Sequence, residues 1–304
     1  MTSRQRIYAI FATPALAIAF LSSTAPANSA PSLTPPAVDA FTYLPSTATP
    51  ALSLPGASSS IATATATAKR EVRAQYMSAD GITHATVFDV ADGYTADQAY
   101  ILLKGQGVKG LQNPSQQGVT PKAPQGVMPS STPPEGSPCS YGTAHSIQCP
   151  PVKVWARNGY TNPQIYYWDH TGSRWPVGTA ITKWNQSPNI HVAWAPGGCP
   201  GGSAYHCVDV TEAHNGANGT YGYTSWQWTT NSNPDYFING TVNIQFNDDM
   251  YTNNLTIACH EIGHSFGMDH NDSSSSCMYS AGNLGASAPN SADYSLITAV
   301  LYSR

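Results

Sequence analysis

Residues 260–270 combine side chains whose types and spacing suit the binding of a metal ion. The segment reads H-E-I-G-H-S-F-G-M-D-H, with histidines at positions 260, 264 and 270. On a helix, residues four apart lie on one face about one turn apart, so His260 and His264 can chelate one ion. Three imidazoles leave the fourth corner of a tetrahedron for water, which is the pattern of a catalytic rather than a structural zinc site.

Two further residues of this segment have expected roles. Glu261 follows the first histidine and can face a metal-bound water without occupying a coordination position. Gly267 comes three residues after His264, where a glycine permits the left-handed backbone that ends the helix and turns the chain back. That turn is expected to bring His270 to the metal. Because three of the nine histidines lie here, we favour a metal site over a helix with solvated histidines.

At this segment the sequence resembles the metzincin clan of zinc endopeptidases. That clan pairs the extended histidine motif with a methionine turn beneath the metal, and the resemblance implies that Met278 is this methionine. It also implies an α+β catalytic domain with a twisted mixed sheet, an active-site helix, a Met-turn and a C-terminal helix. The closing helix is similar to the last helix of the matrixin branch.

The resemblance implies one catalytic Zn²⁺ ion and a protein or peptide substrate. It predicts a secreted zinc-dependent endopeptidase in which zinc-activated water hydrolyses peptide bonds of extracellular proteins and Glu261 is the general base. The alternative is a secreted zinc-containing binding or adhesion module without turnover.

The clan architecture also suggests where the substrate binds. It would place the alternating segment 241–246 as an edge strand above the cleft, with the substrate pairing to it as an extra strand. The pattern of residues alone fits an interior strand equally well.

The sequence departs from the clan in two places. Some branches use a tyrosine two residues after the turn methionine, but Ser280 stands there, so no such role is carried over to the neighbouring Tyr279. Matrixin propeptides usually silence the zinc with a cysteine, and residues 31–138 contain none. If the chain is a zymogen, its latency needs another ligand, such as an Asp or a His, or occlusion of the cleft.

The chain has six cysteines, an even number that indicates three disulfides formed in an oxidising compartment. Many pairings are possible. Close spacing suggests Cys139–Cys149 and Cys199–Cys207, which leaves Cys259 with Cys277. This last bridge would tie the metal helix to the floor of the site.

The N-terminal sequence predicts that the chain is exported, and composition divides the chain into three segments. Arg4 and Arg6 precede an apolar run over 7–21, and cleavage is expected after Ala27 or Ala30, so residues 1–30 form a signal peptide. Residues 31–138 are a low-complexity leader with a possible small prodomain and a linker. Residues 139–304 hold all seven tryptophans and all six cysteines and form the catalytic domain.

Composition excludes several other classes of function. The net charge of −4 offers no basic field for nucleic acid. No stretch reaches the roughly 18 apolar residues that span a bilayer. We also expect the protein to be a monomer. Asp248 and Asp249 are candidates for a structural Ca²⁺, although a solvated turn is the favoured interpretation.

Hydrophobic periodicity predicts the main helices and strands. It indicates strands at 82–90, 164–168, 190–194 and 241–246, and helices at 95–103, 177–184, 255–266 and 291–302. Asn253 or Asn254 is expected to cap the helix of the motif, and 199–233 is expected to be rich in loops.

Overall fold

The computed structural model describes residues 70–116, 139–147, 149–229, 234–280 and 285–303. The predicted signal peptide, the leader up to residue 69 and the linker over 117–138 lie outside these ranges. Within the described ranges, no helix combines the length and the apolar character that crossing a membrane requires.

The described residues alternate short strands with four α-helices. The strands are β1 (Glu71–Met77), β2 (Ile82–Val90), β3 (Ser140–Tyr141), β4 (Ala144–Ser146), β5 (Lys153–Val154), β6 (Gln164–Asp169), β7 (His191–Trp194), β8 (His206–Ala213), β9 (Thr220–Thr229), β10 (Asp235–Tyr236), β11 (Val242–Asn247) and β12 (Met268–Asn271). The helices are α1 (Ala96–Gly105), α2 (Val177–Trp184), α3 (Asn254–Ser265) and α4 (Ser291–Leu296), with a 3-10 turn at Pro114–Gln116 and a π-helical turn at Ile297–Leu301.

The main sheet has the strand order β1-β2-β9-β11-β8-β6-β7. Strands β11, β8, β6 and β7 are parallel, whereas β9 is antiparallel to β11, β2 to β9, and β1 to β2. Two smaller sheets, β10-β5 and β12-β4-β3, flank it. A mixed sheet with packed helices agrees with the predicted α+β class.

Strand β11 lies inside the sheet, so the expectation that segment 241–246 forms an edge strand is wrong. It pairs with β8 on one side and with β9 on the other. Alternation of polar and apolar residues indicates which face of a strand is buried, but it carries no information on whether both edges are paired. Strand β9 is the next strand outward, and β2 pairs along its other edge.

The stretch 199–233, expected to be rich in loops, contains two strands of the main sheet. Val208 and Val210 of β8 are fully buried. Trp226 and Trp228 of β9 are at most 3% exposed. β-branched and aromatic residues favour strands. The many glycines of this stretch concealed that signal in the sequence.

One hydrophobic core lies between the main sheet and helices α2 and α3. Its largest fully buried members include Trp184, Tyr167, Ile165, Ile244, Phe246, Ile257 and Ile262. Burying such a side chain contributes about 1.5–3 kcal/mol relative to leaving it exposed. This core fixes α3, and with it the histidine motif, against the sheet.

Residues 70–116 form two strands and a helix with a small core of their own. Thr95 caps α1, because its side chain accepts from the Gln98 N–H at 3.2 Å while Gln98 Oε1 accepts from the Thr95 N–H at 2.8 Å. Phe88 and Leu103 belong to the local core, whereas Val87 joins the main core. The predicted strand over 82–90 and the helix after Thr95 are both present.

Candidate metal centre

Helix α3 carries the first part of the histidine motif and is buried along most of its length. Every residue from 256 to 265 is buried. Asn253 occupies the N-cap position in a left-handed conformation (φ 42°), but its side chain makes no capping hydrogen bond. Helix α3 is therefore stabilised by the residues packed around it rather than by a side-chain hydrogen bond at its N-cap.

Three tryptophan indoles bind carbonyl groups of α3. The bonds are Trp184 Nε1 to Cys259 O at 2.8 Å, Trp226 Nε1 to His264 O at 3.1 Å, and Trp155 Nε1 to Ser265 O at 3.0 Å. A buried indole N–H needs an acceptor, and Ser265 is the last residue of α3, where carbonyls lack partners within the helix.

Gly267 provides the turn after α3. Its φ is +101°, and a Cβ at this position would lie 2.2 Å from the Lys153 carbonyl oxygen. The Gly267 N–H donates to the His264 carbonyl at 3.0 Å. The reversal leads into β12, which carries His270 back to the helix.

The structure brings the three histidines of the motif together. His260 Nε2 lies 2.9 Å from His264 Nε2 and 3.1 Å from His270 Nε2. On the opposite side of the rings, His260 Nδ1 lies 2.7 Å from the Cys277 carbonyl oxygen and His264 Nδ1 lies 2.9 Å from that of Met268. A carbonyl only accepts, so these Nδ1 atoms carry the protons and both Nε2 atoms present lone pairs.

These residues fit a zinc ion. Lone pairs that face each other at 2.9 Å repel unless a cation or a proton lies between them. Imidazole nitrogen is a common zinc ligand, and an outer N–H bonded to a carbonyl is the usual way in which such ligands are oriented. The residues fit the ion because His260 and His264 both carry their proton on Nδ1, which leaves each Nε2 lone pair to face the metal.

A carboxylate from β2 joins the three histidines. Asp89 Oδ2 lies 3.0 Å from His260 Nε2, and Asp89 Oδ1 lies 3.4 Å from His270 Nε2. One ligand atom from each of the four side chains, including His264, lies within 4.8 Å of the others. The sequence suggested an Asp or a His, or occlusion of the cleft, in place of the missing cysteine, but it indicated no particular residue, because a lone Asp on a strand carries no signal of its own.

Glu261 is fully buried beside the histidines and is held by β9. Thr224 Oγ1 donates to Glu261 Oε2 at 2.5 Å and lies 3.0 Å from the Glu261 carbonyl oxygen. Gly222 leaves room on the same strand, since a Cβ there would lie 3.3 Å from Glu261 Oε1. Neither Thr224 nor Gly222 was singled out from the sequence, because β9 itself was not predicted.

Burial and neighbouring charges shift the pKa values at this site. Burial raises the pKa of Glu261 well above its usual value, and the Asp89 carboxylate raises it further. Burial and the two other histidines lower the pKa of His264 to about 3. Burial acts to lower the pKa of His270, but the carboxylates of Glu71, Asp89 and Asp269 together outweigh it and raise this pKa to about 10. A divalent cation bound at Nε2 of His270 would replace the proton.

Met278 and a disulfide lie next to α3. A Cβ on Gly263 would lie 2.3 Å from Met278 Sδ, so the glycine allows the methionine to touch the helix backbone. The Cys259–Cys277 bridge joins α3 to the segment just before Met278. The structure also contains the other two bridges that close spacing suggested, Cys139–Cys149 and Cys199–Cys207.

Gly263→Ala is expected to destabilise the protein. The added methyl group would meet Met278 Sδ at 2.3 Å and the Trp184 ring at 2.8 Å. Both neighbours are fully buried. Overpacking costs about 1–3 kcal/mol, against a gain of ~1 kcal/mol from the better helix former. Denaturant unfolding should therefore show a lower midpoint.

Gly105→Ala is the matched control for this change. Gly105 is also helical, but nothing lies within 4 Å of the Cβ it would acquire. That variant should be as stable as the parent or more so. Equal midpoints for the two alanine variants would contradict the packing of Met278 against α3.

Removing the Cys259–Cys277 bridge by a double alanine substitution should weaken both folding and metal binding. The bridge spans 18 residues, for which the chain-entropy model gives about 3 kcal/mol. It also positions the Cys277 carbonyl that orients His260. Zinc affinity, measured by competition with a chromophoric chelator, should fall by roughly 10–100-fold.

The Cys199–Cys207 pair serves as the control for that experiment. It is also a local bridge, with a separation of 8 residues, but no hydrogen bond among the described residues joins it to His260, His264 or His270. Its removal should lower stability without changing zinc affinity. Equal losses of zinc affinity in both double variants would show that the effect is one of stability alone.

A buried helix with two histidines and a glutamate, followed by a third histidine after a glycine turn, has the spacing of the extended zinc motif of metzincin-type metalloproteases. Residues 176–298 match the family model of matrixin. This stretch includes the three histidines and Glu261, and the match supports a metzincin-clan, matrixin-like metalloprotease. No curated protein sequence matches the chain.

Proposed function

We propose that this chain is a secreted zinc endopeptidase that hydrolyses peptide bonds of extracellular proteins. The observation that carries the proposal is the convergence of three histidine Nε2 atoms beside a buried glutamate. The matrixin match over 176–298 supports it, and three disulfides suit an oxidising, extracellular setting. A signal peptide over 1–30, a leader removed on maturation and a monomeric state belong to the same proposal.

His260, His264 and His270 would hold the zinc ion. When bound, zinc supplies a Lewis acid that polarises the scissile carbonyl and acidifies water. Glu261 takes the proton of the attacking water and delivers it to the leaving amine. Thr224 holds the carboxylate of Glu261 in place for both transfers.

The surrounding residues would keep this arrangement rigid. Met278 forms the floor of the site as the methionine of a Met-turn, and Gly267 turns His270 toward the metal. The Cys259–Cys277 bridge ties the helix to that floor. Rigid support of this kind holds ligands and base in the productive geometry.

Once the leader that contains β2 has been removed, an extended peptide would bind along the edge of β9 that β2 covers in the intact chain. Main-chain hydrogen bonds to a free strand edge give affinity with little dependence on sequence, and pockets for side chains give specificity.

Casein or gelatin cleavage by the purified secreted form tests this function. New N-termini should appear in the products by mass spectrometry, cease with a chelator and return with added zinc. Tight binding of a ligand without any cleavage would instead support the zinc-containing binding or adhesion module.

A further inference from the structure

The third histidine of the motif differs from the other two in the partner of its Nδ1 atom. In His260 and His264 this nitrogen faces a backbone carbonyl group. In the described part of the chain, no carbonyl group accepts a hydrogen bond from His270 Nδ1. The atom that lies beside it is Glu71 Oε2, at 2.9 Å. This carboxylate belongs to β1, and therefore to the leader.

A histidine that binds a metal through Nε2 keeps its proton on Nδ1. That N–H is normally donated to a carbonyl, a carboxylate or a water, which fixes the orientation of the ring and makes the ligand more basic. Removal of β1 with the leader takes Glu71 away from His270. Another acceptor must then replace it, either water or a group of the catalytic domain.

Asp269 supplies a carboxylate close to the same nitrogen. Its Oδ1 lies 3.7 Å from His270 Nδ1 and accepts the backbone N–H of His270 at 2.8 Å. A shift of about 1 Å would bring this oxygen to hydrogen-bond distance from Nδ1. In the intact chain Arg73 of β1 holds the same oxygen at 2.6 Å. Because Arg73 leaves with β1, the carboxylate becomes free to move.

An irregularity in β12 places the two side chains on one side of the strand. Neighbouring residues of a regular strand point to opposite faces. Here Met268 stands opposite Ser146 and Asn271 opposite Ala144, so β12 advances one residue more than β4 between the two pairs. An extra residue of this kind changes the direction of a side chain. It allows the carboxylate of Asp269 to approach the ring of His270.

We propose that Asp269 replaces Glu71 as the hydrogen-bond partner of His270 Nδ1 when the leader is removed. The third ligand then keeps its orientation through a residue of the catalytic domain. The proposal rests on the proposed function, since it requires that His270 bind zinc and that the leader be removed. Asp269 is a positioning residue, because it acts through His270 and touches neither the ion nor the substrate.

Zinc affinity of two forms of the protein tests the exchange without relying on turnover. One form is the intact chain carrying Glu261→Gln, which cannot cleave itself. The other is the secreted form, whose N-terminus is determined by mass spectrometry. Both are titrated with zinc against a chromophoric chelator. Asp269→Ala should lower the zinc affinity of the secreted form by roughly 10–100-fold and leave that of the intact chain unchanged, because Glu71 still serves there.

Two further variants separate orientation of the ligand from general support of the fold. Asp269→Asn keeps an acceptor oxygen, so its loss of zinc affinity in the secreted form should be smaller than that of Asp269→Ala. Asp272→Ala is the matched control, because Asp272 lies two residues after His270 and its side chain, 75% exposed, pairs with His145. It should bind zinc like the parent in both forms.

A second measurement decides the matter if Asp269→Ala does not fold. In the intact chain, Glu71→Ala alone should lower zinc affinity, because Arg73 still holds Asp269 away from His270. Adding Arg73→Ala should restore the affinity, because the carboxylate is then released. A double variant that binds zinc no better than Glu71→Ala would contradict the exchange.

The possible failures are distinguishable. Equal zinc affinity of the parent and Asp269→Ala in the secreted form would overturn the proposal and show that water suffices, while leaving the metal centre intact. Equal losses in the two forms would also overturn it, since they would indicate a structural role. A secreted form that retains residues 70–116 would remove the exchange altogether. Failure of every folded form to bind zinc would reject the metal centre and the proposed function with it.

Discussion

Glu261→Gln is expected to lower kcat/KM by roughly 10²–10⁴-fold, the usual contribution of a positioned general acid–base group. Glutamine has nearly the same shape and can still accept the hydrogen bond of Thr224, but it cannot take a proton from water. Zinc content should stay unchanged, since Glu261 is not among the proposed ligands. Peptide cleavage by the secreted form, combined with metal analysis, measures both quantities.

Glu212→Gln provides the control for that substitution. Glu212 lies on β8, away from the histidines. Its replacement makes the same chemical change there, so the kcat/KM of this variant should match that of the parent. Proteolysis retained by Glu261→Gln, with contaminating proteases excluded, would remove Glu261 from the mechanism.

His264→Ala should abolish both metal binding and activity. His264 is fully buried, and its Nε2 lies 2.9 Å from His260 Nε2. Loss of a direct ligand should exceed the roughly 10–100-fold loss of affinity that follows removal of an outer partner. Zinc content after dialysis is the readout, taken on protein whose circular dichroism shows that it is folded.

The control for this variant is His214→Ala. The His214 side chain is 75% exposed and pairs with Asp249, so its removal should leave one zinc ion per chain. A folded His264→Ala protein that keeps its zinc and its activity would show that another set of residues binds the metal.

The parts of the site that depend on local spacing were predictable from the sequence. Two histidines four residues apart share a helix face whatever surrounds them, and Gly267 follows at the point where the helix ends. Helix α2 at Val177–Trp184 and strand β6 at Gln164–Asp169 also match their predicted positions closely. Close spacing also suggested the pairing of the six cysteines that the structure contains.

The parts that depend on strand neighbours were not predictable. Thr224, Gly222 and Asp89 acquire their roles only because β9 pairs with both β11 and β2. Periodicity reports the buried face of a strand and not its neighbours, and the edge position expected for 241–246 came from the clan resemblance alone. Contacts such as Asp89 to His260 join residues far apart in the chain, and a single sequence contains no record of them.

The support of α3 illustrates the same limit. Trp155, Trp184 and Trp226 reach the helix from three different parts of the chain. Sequence reasoning could state that a buried indole N–H needs an acceptor, but not which carbonyl would supply it. These bonds add to the disulfide and to Met278 in holding the ligands rigid.

Zinc titration of the metal-free secreted form tests the central claim most directly. Cleavage of a peptide substrate should rise from zero in proportion to added zinc and level off at one ion per chain. Metal analysis on the same samples should give the same stoichiometry. Full cleavage by the metal-free protein would contradict the account, as would one tightly bound zinc ion without cleavage of any protein or peptide.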